Sequence, residues 1–162
     1  MFFVEKFPFF LYNNGNLTDI NTEDITMANV KELLKAEENG SLSFGDYSLT
    51  QKTKLDDFSF EGDTYKVTTF QEITRLEKNG GVVYESVPGS AVHGYKETER
   101  QIVFETEAAD DLQITLEVEP EKEYKVYVND TNIGKLKSSL SGKISFSIEL
   151  DAGETAKVQI VK

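Results

Sequence analysis

Apolar and polar residues alternate one for one along much of the chain, most clearly from Tyr124 to Lys162. Tyr124, Val126 and Val128 alternate with Lys125, Tyr127 and Asn129. After Asn129-Asp130-Thr131-Asn132, the run resumes at Ile133-Gly134-Lys135-Leu136. Ser141-Gly142 turns the chain into Ile144, Phe146, Ile148 and Leu150, which alternate with Ser145, Ser147 and Glu149. Asp151-Ala152-Gly153-Glu154 then leads into Val158 and Ile160. Period-two alternation broken by Asn, Asp and Gly is the signature of half-buried antiparallel strands. The same signature appears upstream at Leu112, Ile114, Leu116 and Val118, where Pro120 ends the strand because it has no N–H to give a ladder.

The first half predicts hairpins. Asn39-Gly40 is the favoured dipeptide of a two-residue type I′ turn, with Leu33, Leu34 and Ala36 before it and Leu42 and Phe44 after it. A short helix over 30–38, capped by Asn29 and closed by Gly40, is the competing reading. A second copy favours the hairpin: Ile73 to Tyr84 repeats Leu33 to Phe44 at a constant offset of forty, with Asn79-Gly80 on Asn39-Gly40 and Tyr84 on Phe44. Lys54 to Phe70 reads as strands around Glu61-Gly62-Asp63, and further strands are expected at Ala91 to Lys96 and Gln101 to Thr106. So many short strands with turn residues between them predict an all-β antiparallel sandwich. The expected organisation is a hairpin-rich β module over 27–109 and a second β module over 110–162, divided at Ala108-Ala109-Asp110-Asp111. Residues 1–26 have no sustained period and are expected to be a poorly ordered or non-native extension. Met27 would then be the natural start, with Thr22 to Thr26 a translated ribosome-binding region.

Composition narrows the function more than it defines it. The chain has 162 residues, 38% of them hydrophobic, with 11 Phe, 7 Tyr and no Trp. Its net charge of −12, from 29 acids against 17 bases, argues against nucleic acid and anionic membranes as partners. The absence of cysteine removes disulfides, thiolate nucleophiles and Cys-ligated metals, and suits the cytoplasm. The apolar start, broken by Glu5, Lys6 and Pro8, is too short to span a bilayer and does not read as a signal peptide. Charge is uneven: Glu97 to Glu123 holds ten acids and two bases, a balance of −8, whereas Tyr124 to Lys162 holds six lysines and four acids, a balance of +2.

Chemistry-bearing residues do not gather into a motif. His93 is the single histidine and has no nucleophile elbow beside it. Asp56-Asp57 with Glu61 and Asp63 offers oxygen ligands, but at no calcium-loop spacing, and solvated turn acids account for them. No glycine run forms a phosphate cradle. The sequence therefore implies no catalytic residue, no cofactor and no metal. Tyr47, Tyr84, Tyr95 and Tyr127 are the candidate aromatics for stacking on a ligand such as a sugar ring.

Two resemblances add expectations. The run Tyr124-Lys125-Val126-Tyr127-Val128, a turn, Ile133-Gly134 and Ser141-Gly142-Lys143-Ile144-Ser145-Phe146-Ser147-Ile148 resembles small immunoglobulin-like or fibronectin-like modules. The resemblance implies an immunoglobulin-like β-sandwich for the C-terminal half, in modules that bind or space more often than they catalyse. From Met27 onward the chain also resembles small proteins of anaerobic Gram-positive bacteria labelled "endosialidase". That resemblance runs through Met27-Ala28-Asn29-Val30-Lys31-Glu32-Leu33, Ser43-Phe44-Gly45-Asp46-Tyr47, Tyr84-Glu85-Ser86-Val87-Pro88-Gly89 and Leu140 to Phe146. The label implies a carbohydrate-binding or glycan-active accessory. The residues themselves lead to a non-enzymatic interaction or assembly protein, pairing with a protein partner or with itself through open sheet edges.

Overall fold

The structure is a computed structural model that describes residues 32–162. The expectations for residues 1–26 and for a start at Met27, and the first part of the helix alternative, lie outside the described residues. Among the described residues thirteen strands follow one another: β1 (Leu34–Ala36), β2 (Leu42–Phe44), β3 (Thr53–Phe60), β4 (Asp63–Phe70), β5 (Ile73–Lys78), β6 (Gly81–Val87) and β7 (Ala91–Glu97). Then come β8 (Gln101–Glu107), β9 (Leu112–Glu117), β10 (Glu123–Val128), β11 (Thr131–Lys137), β12 (Lys143–Ile148) and β13 (Thr155–Val161). They form a seven-stranded sheet in the order β1-β2-β7-β8-β13-β10-β11 and a six-stranded sheet in the order β12-β9-β6-β5-β4-β3. Every pairing is antiparallel. The fold is an all-β sandwich.

The boundary expected at 108–111 is instead a crossover between the two sheets. β9 lies between β6 and β12, and β13 lies between β8 and β10, so strands from both sides of the crossover complete each sheet. Both halves also supply one hydrophobic core, from Leu34, Phe44 and Leu76 to Ile114, Val126, Ile144 and Ile160. Either half alone would leave its strands without these neighbours, which is the physical reason two separate modules do not form.

Residues 34–44 form a hairpin rather than a helix, but with a different turn from the one expected. Gly40 alone is left-handed (φ 81°); its N–H donates to the Glu37 carbonyl (3.2 Å) and the Glu37 N–H donates to the Ser41 carbonyl (2.8 Å). This is a three-residue loop ending in a left-handed glycine. The second copy does adopt the two-residue form: Asn79 and Gly80 both have positive φ (50° and 88°), and Lys78 pairs with Gly81. Asn79 also ties the turn to its neighbour, donating to Asp63 Oδ1 (2.8 Å) and accepting from the Thr64 N–H (3.0 Å). The equivalently placed Phe44 and Tyr84 come from opposite sheets and meet edge to face at 5.3 Å.

Candidate functional site

The four candidate stacking tyrosines do not form a platform. Tyr84 and Tyr95 are core residues, packed edge to face at 6.5 Å, with Phe104 at 5.5 Å from Tyr84 and 5.9 Å from Tyr95. The Tyr84 hydroxyl is bonded to Ser90 Oγ (2.9 Å), which also meets Ser86 Oγ (2.7 Å). Burial holds both phenols well above their ordinary pKa. Neither ring offers a free stacking face, because Tyr84 is fully enclosed and Tyr95 is only 7% exposed. Tyr47 is half-buried in the loop after β2, and its hydroxyl donates to Glu107 Oε2 (3.1 Å). Burial and then the Glu107 charge push its phenol up to about 12. Tyr127 is half-buried on β10, two strands away from β8.

The remaining polar features are self-satisfied. His93 pairs in register with Glu105 on the outer face of the seven-stranded sheet. Beyond it, Ser43 Oγ donates to Glu37 Oε2 (2.6 Å) and accepts from the Gly94 N–H (3.2 Å). Glu107 is 8% exposed; burial raises its pKa, against the Tyr47 hydrogen bond and the nearby His93, which lower it. A cleft of about 140 Å³ opens at one end of the sandwich between Tyr65 and Tyr95, lined also by Asp63, Lys78, Lys96 and Glu97. Glu61 also lines it, and most of the other charges have protein partners: Lys78 with Asp63 (3.6 Å), Lys96 with the Asn39 carbonyl (3.2 Å) and Glu97 with Lys162 (2.8 Å). Among the described residues no three His, Cys, Asp or Glu groups converge as metal ligands. Asp56, Asp57, Glu61 and Asp63 thus form no such centre. No helix among these residues is long and apolar enough to cross a membrane.

The edges of the sheets offer a different kind of site, made of backbone. An edge strand carries a row of N–H and C=O groups ready to pair with another chain, and most edges are blunted. β1 is three residues long. β11 carries an extra residue, Ile133, where Val126 pairs with Gly134 and Tyr127 with Asn132; Lys135 and Lys137 follow. On β3, Asp56 and Asp57 together face Lys66, because Leu55 pairs with Val67 and Phe58 with Tyr65; Asp57 takes φ 60°. Such bulges kink the ladder.

β12 carries no bulge, and its one lysine, Lys143, stands at its first residue. It pairs with β9 through six consecutive residues without a shift, from Lys143↔Glu117 to Ile148↔Leu112. The Val118 N–H donates to the Gly142 carbonyl (2.8 Å), so residues 142, 144, 146 and 148 turn their backbone groups toward β9. By the same alternation, Lys143, Ser145 and Ser147 turn theirs outward. Lys143 satisfies its own pair on Ser139: its carbonyl accepts from the Ser139 N–H (2.9 Å) and its N–H donates to Ser139 Oγ (3.1 Å). Among the described residues, no strand pairs with the outer side of Ser145 and Ser147. Ile144, Phe146 and Ile148 are buried against the core and hold the strand in place, while the serine side chains are exposed. The sequence shows the Ile-Ser-Phe-Ser-Ile alternation, but only the strand order places it at an edge. Comparison with protein families, curated proteins and solved structures finds no match for this chain.

Proposed function

We propose that the protein is a non-enzymatic interaction or assembly module that binds an extended segment of a polypeptide by strand addition at β12. The observation that carries this reading is the unbulged outer edge of β12, where the N–H and C=O groups of Ser145 and Ser147 have no strand beside them among the described residues. Main-chain hydrogen bonds supply the affinity in this mode of recognition, and alternate side chains supply the selectivity.

A photo-crosslinking amino acid placed at Ser147, with a control at Ser59 on the exposed side of β3, tests this in cells of the native host. The expected result is a covalent adduct with a polypeptide from position 147 and none from position 59. Absence of any adduct from position 147 overturns the proposal.

A further inference from the structure

Resting on strand addition at β12, we infer that the strand it accepts is β12 of a second copy, in antiparallel register centred on Phe146. The stretch Lys143-Ile144-Ser145-Phe146-Ser147-Ile148-Glu149 reads the same in either direction, except that its ends carry opposite charges. Set against a reversed copy of itself, Ser145 falls opposite Ser147 of the second copy, and Ile144 opposite Ile148. Lys143 is aligned with Glu149 of the second copy. Ser139 already occupies the outer backbone of Lys143, so the new ladder is confined to Ser145 and Ser147 and only the two charged side chains meet beyond it. A surface that complements itself under a two-fold rotation is what a closed dimer requires.

Backbone polarity agrees with this register. Ser145 and Ser147 are the residues whose N–H and C=O groups face outward. In the centred pairing each serine meets the other type across the two-fold and exchanges both bonds, which gives four main-chain hydrogen bonds. The side chains agree as well. Ile144, Phe146 and Ile148 stay on the inner face of both copies and the serines on the outer face, so two six-stranded sheets join into one. Slipping by one residue would set outward-bonding serines against residues already committed to β9. Slipping by two keeps the bonding parity but moves Lys143 away from Glu149. Lys143 and Glu149 both lie on the serine-bearing face and Glu149 is exposed; the pair forms when Lys143 Nζ leaves the Val82 carbonyl (3.0 Å). The assembly closes at two, because the other edges are short or bulged.

One short strand pair buries less than the roughly 1,200 Å² at the lower end of stable complexes, so the dimer belongs to the weak, concentration-dependent class. Sedimentation equilibrium on the full chain, from micromolar to millimolar concentration, is the appropriate measurement. The wild type is expected to fit a monomer–dimer equilibrium. Ser147→Pro removes an N–H that points away from β9, so the ladder to β9 is spared, and circular dichroism checks that the fold is kept. Two of the four intermolecular bonds go with it, and association is expected to weaken roughly thirtyfold. Lys143→Glu is expected to weaken dimerisation severalfold, and Lys143→Glu/Glu149→Lys to restore it, although both variants lose the Lys143 Nζ bond to the Val82 carbonyl. A strictly monomeric wild type, or a double variant no tighter than Lys143→Glu, overturns the inference. If Ser147 cross-links to a different polypeptide while the purified chain stays monomeric, strand addition stands and self-pairing falls. If neither is seen, both fall.

Discussion

The two edges of the six-stranded sheet, β3 and β12, are built to opposite ends. β3 is eight residues long and mostly exposed, with Leu55 at 37% exposure, and the Asp56-Asp57 bulge interrupts it at mid-length. β12 is six residues long, buries Ile144, Phe146 and Ile148, and runs without interruption. β3 is thus held by its ladder to β4 and by the half-buried Phe58 and Phe60, and is kinked against further pairing. β12 is anchored by its side chains and left open along its backbone. An open edge can be kept without losing order when one face of the strand is rooted in the core, because the side chains fix the position that the missing ladder does not. Conversely, a strand with little buried surface needs its edge blunted, since little else resists exchange with another chain.

The largest expected difference between these edges is in stability. Phe146→Ala removes a side chain only 8% exposed and leaves a cavity in the shared core, so it is expected to cost about 3–5 kcal/mol. Leu55→Ala on β3 takes away a half-solvated side chain and is expected to cost under about 1 kcal/mol. Urea denaturation of both variants beside the wild type reads the contrast. Equal losses would mean that β12 is no better rooted than β3.

A second change tests the bulge itself. Deleting Asp57 leaves one residue between Leu55 and Phe58 and restores a regular ladder, with Asp56 facing Lys66. The second edge then resembles the first, and the variant is expected to associate beyond the dimer through β3 pairing, seen as larger species by light scattering. Ser147→Pro in the same background should leave the β3-mediated association in place. If the deletion variant behaves as the wild type does, the bulge is not what keeps β3 from pairing.

How much of this was legible in the sequence follows from what each feature depends on. The strands whose one face is buried announce themselves by alternation: Leu112, Ile114 and Leu116 on β9, and Ile144, Phe146 and Ile148 on β12. The allocation of strands to sheets is not local information. Nothing near Thr155 or Gln101 reveals that β13 pairs with β8, so the crossover at 108–111 reads as a domain boundary. Turn type was partly hidden too. Asn39-Gly40 and Asn79-Gly80 are the same dipeptide, yet the first hairpin adds Glu38 to the loop, closed by the Glu37–Ser41 pair, with Asn39 Oδ1 accepting from the Ser41 N–H (3.2 Å). The burial of Tyr95 was hidden for a related reason. His93 and Tyr95 share parity and by simple alternation share a face. The register shift around Gly94 (φ 69°) lets His93 stay on the outside while Tyr95 enters the core. The self-complementary run at 143–149 was fully visible as sequence, but its meaning depends on an edge that only the topology defines.

The smallest expected effect serves as a control remote from both edges. Glu107 lies on β8 of the seven-stranded sheet, and its folded pKa is raised above the ordinary 4.5, chiefly by burial. Between the ordinary value and the raised one, the folded chain binds more protons than the unfolded chain. Stability therefore falls as pH rises through that window and is greater below it. Glu107→Gln removes the titration and keeps an amide oxygen to accept from the Tyr47 hydroxyl. Urea midpoints measured across the carboxylate range should then show a flatter slope for the variant than for the wild type. Dimerisation measured at neutral pH should be unchanged, because the side chain belongs to the sheet that does not carry β12. A variant that keeps the wild-type slope would remove Glu107 as its source. A variant that loses the dimer while staying folded would mean that the two sheets communicate, and that the β12 edge is not governed by its own strand alone.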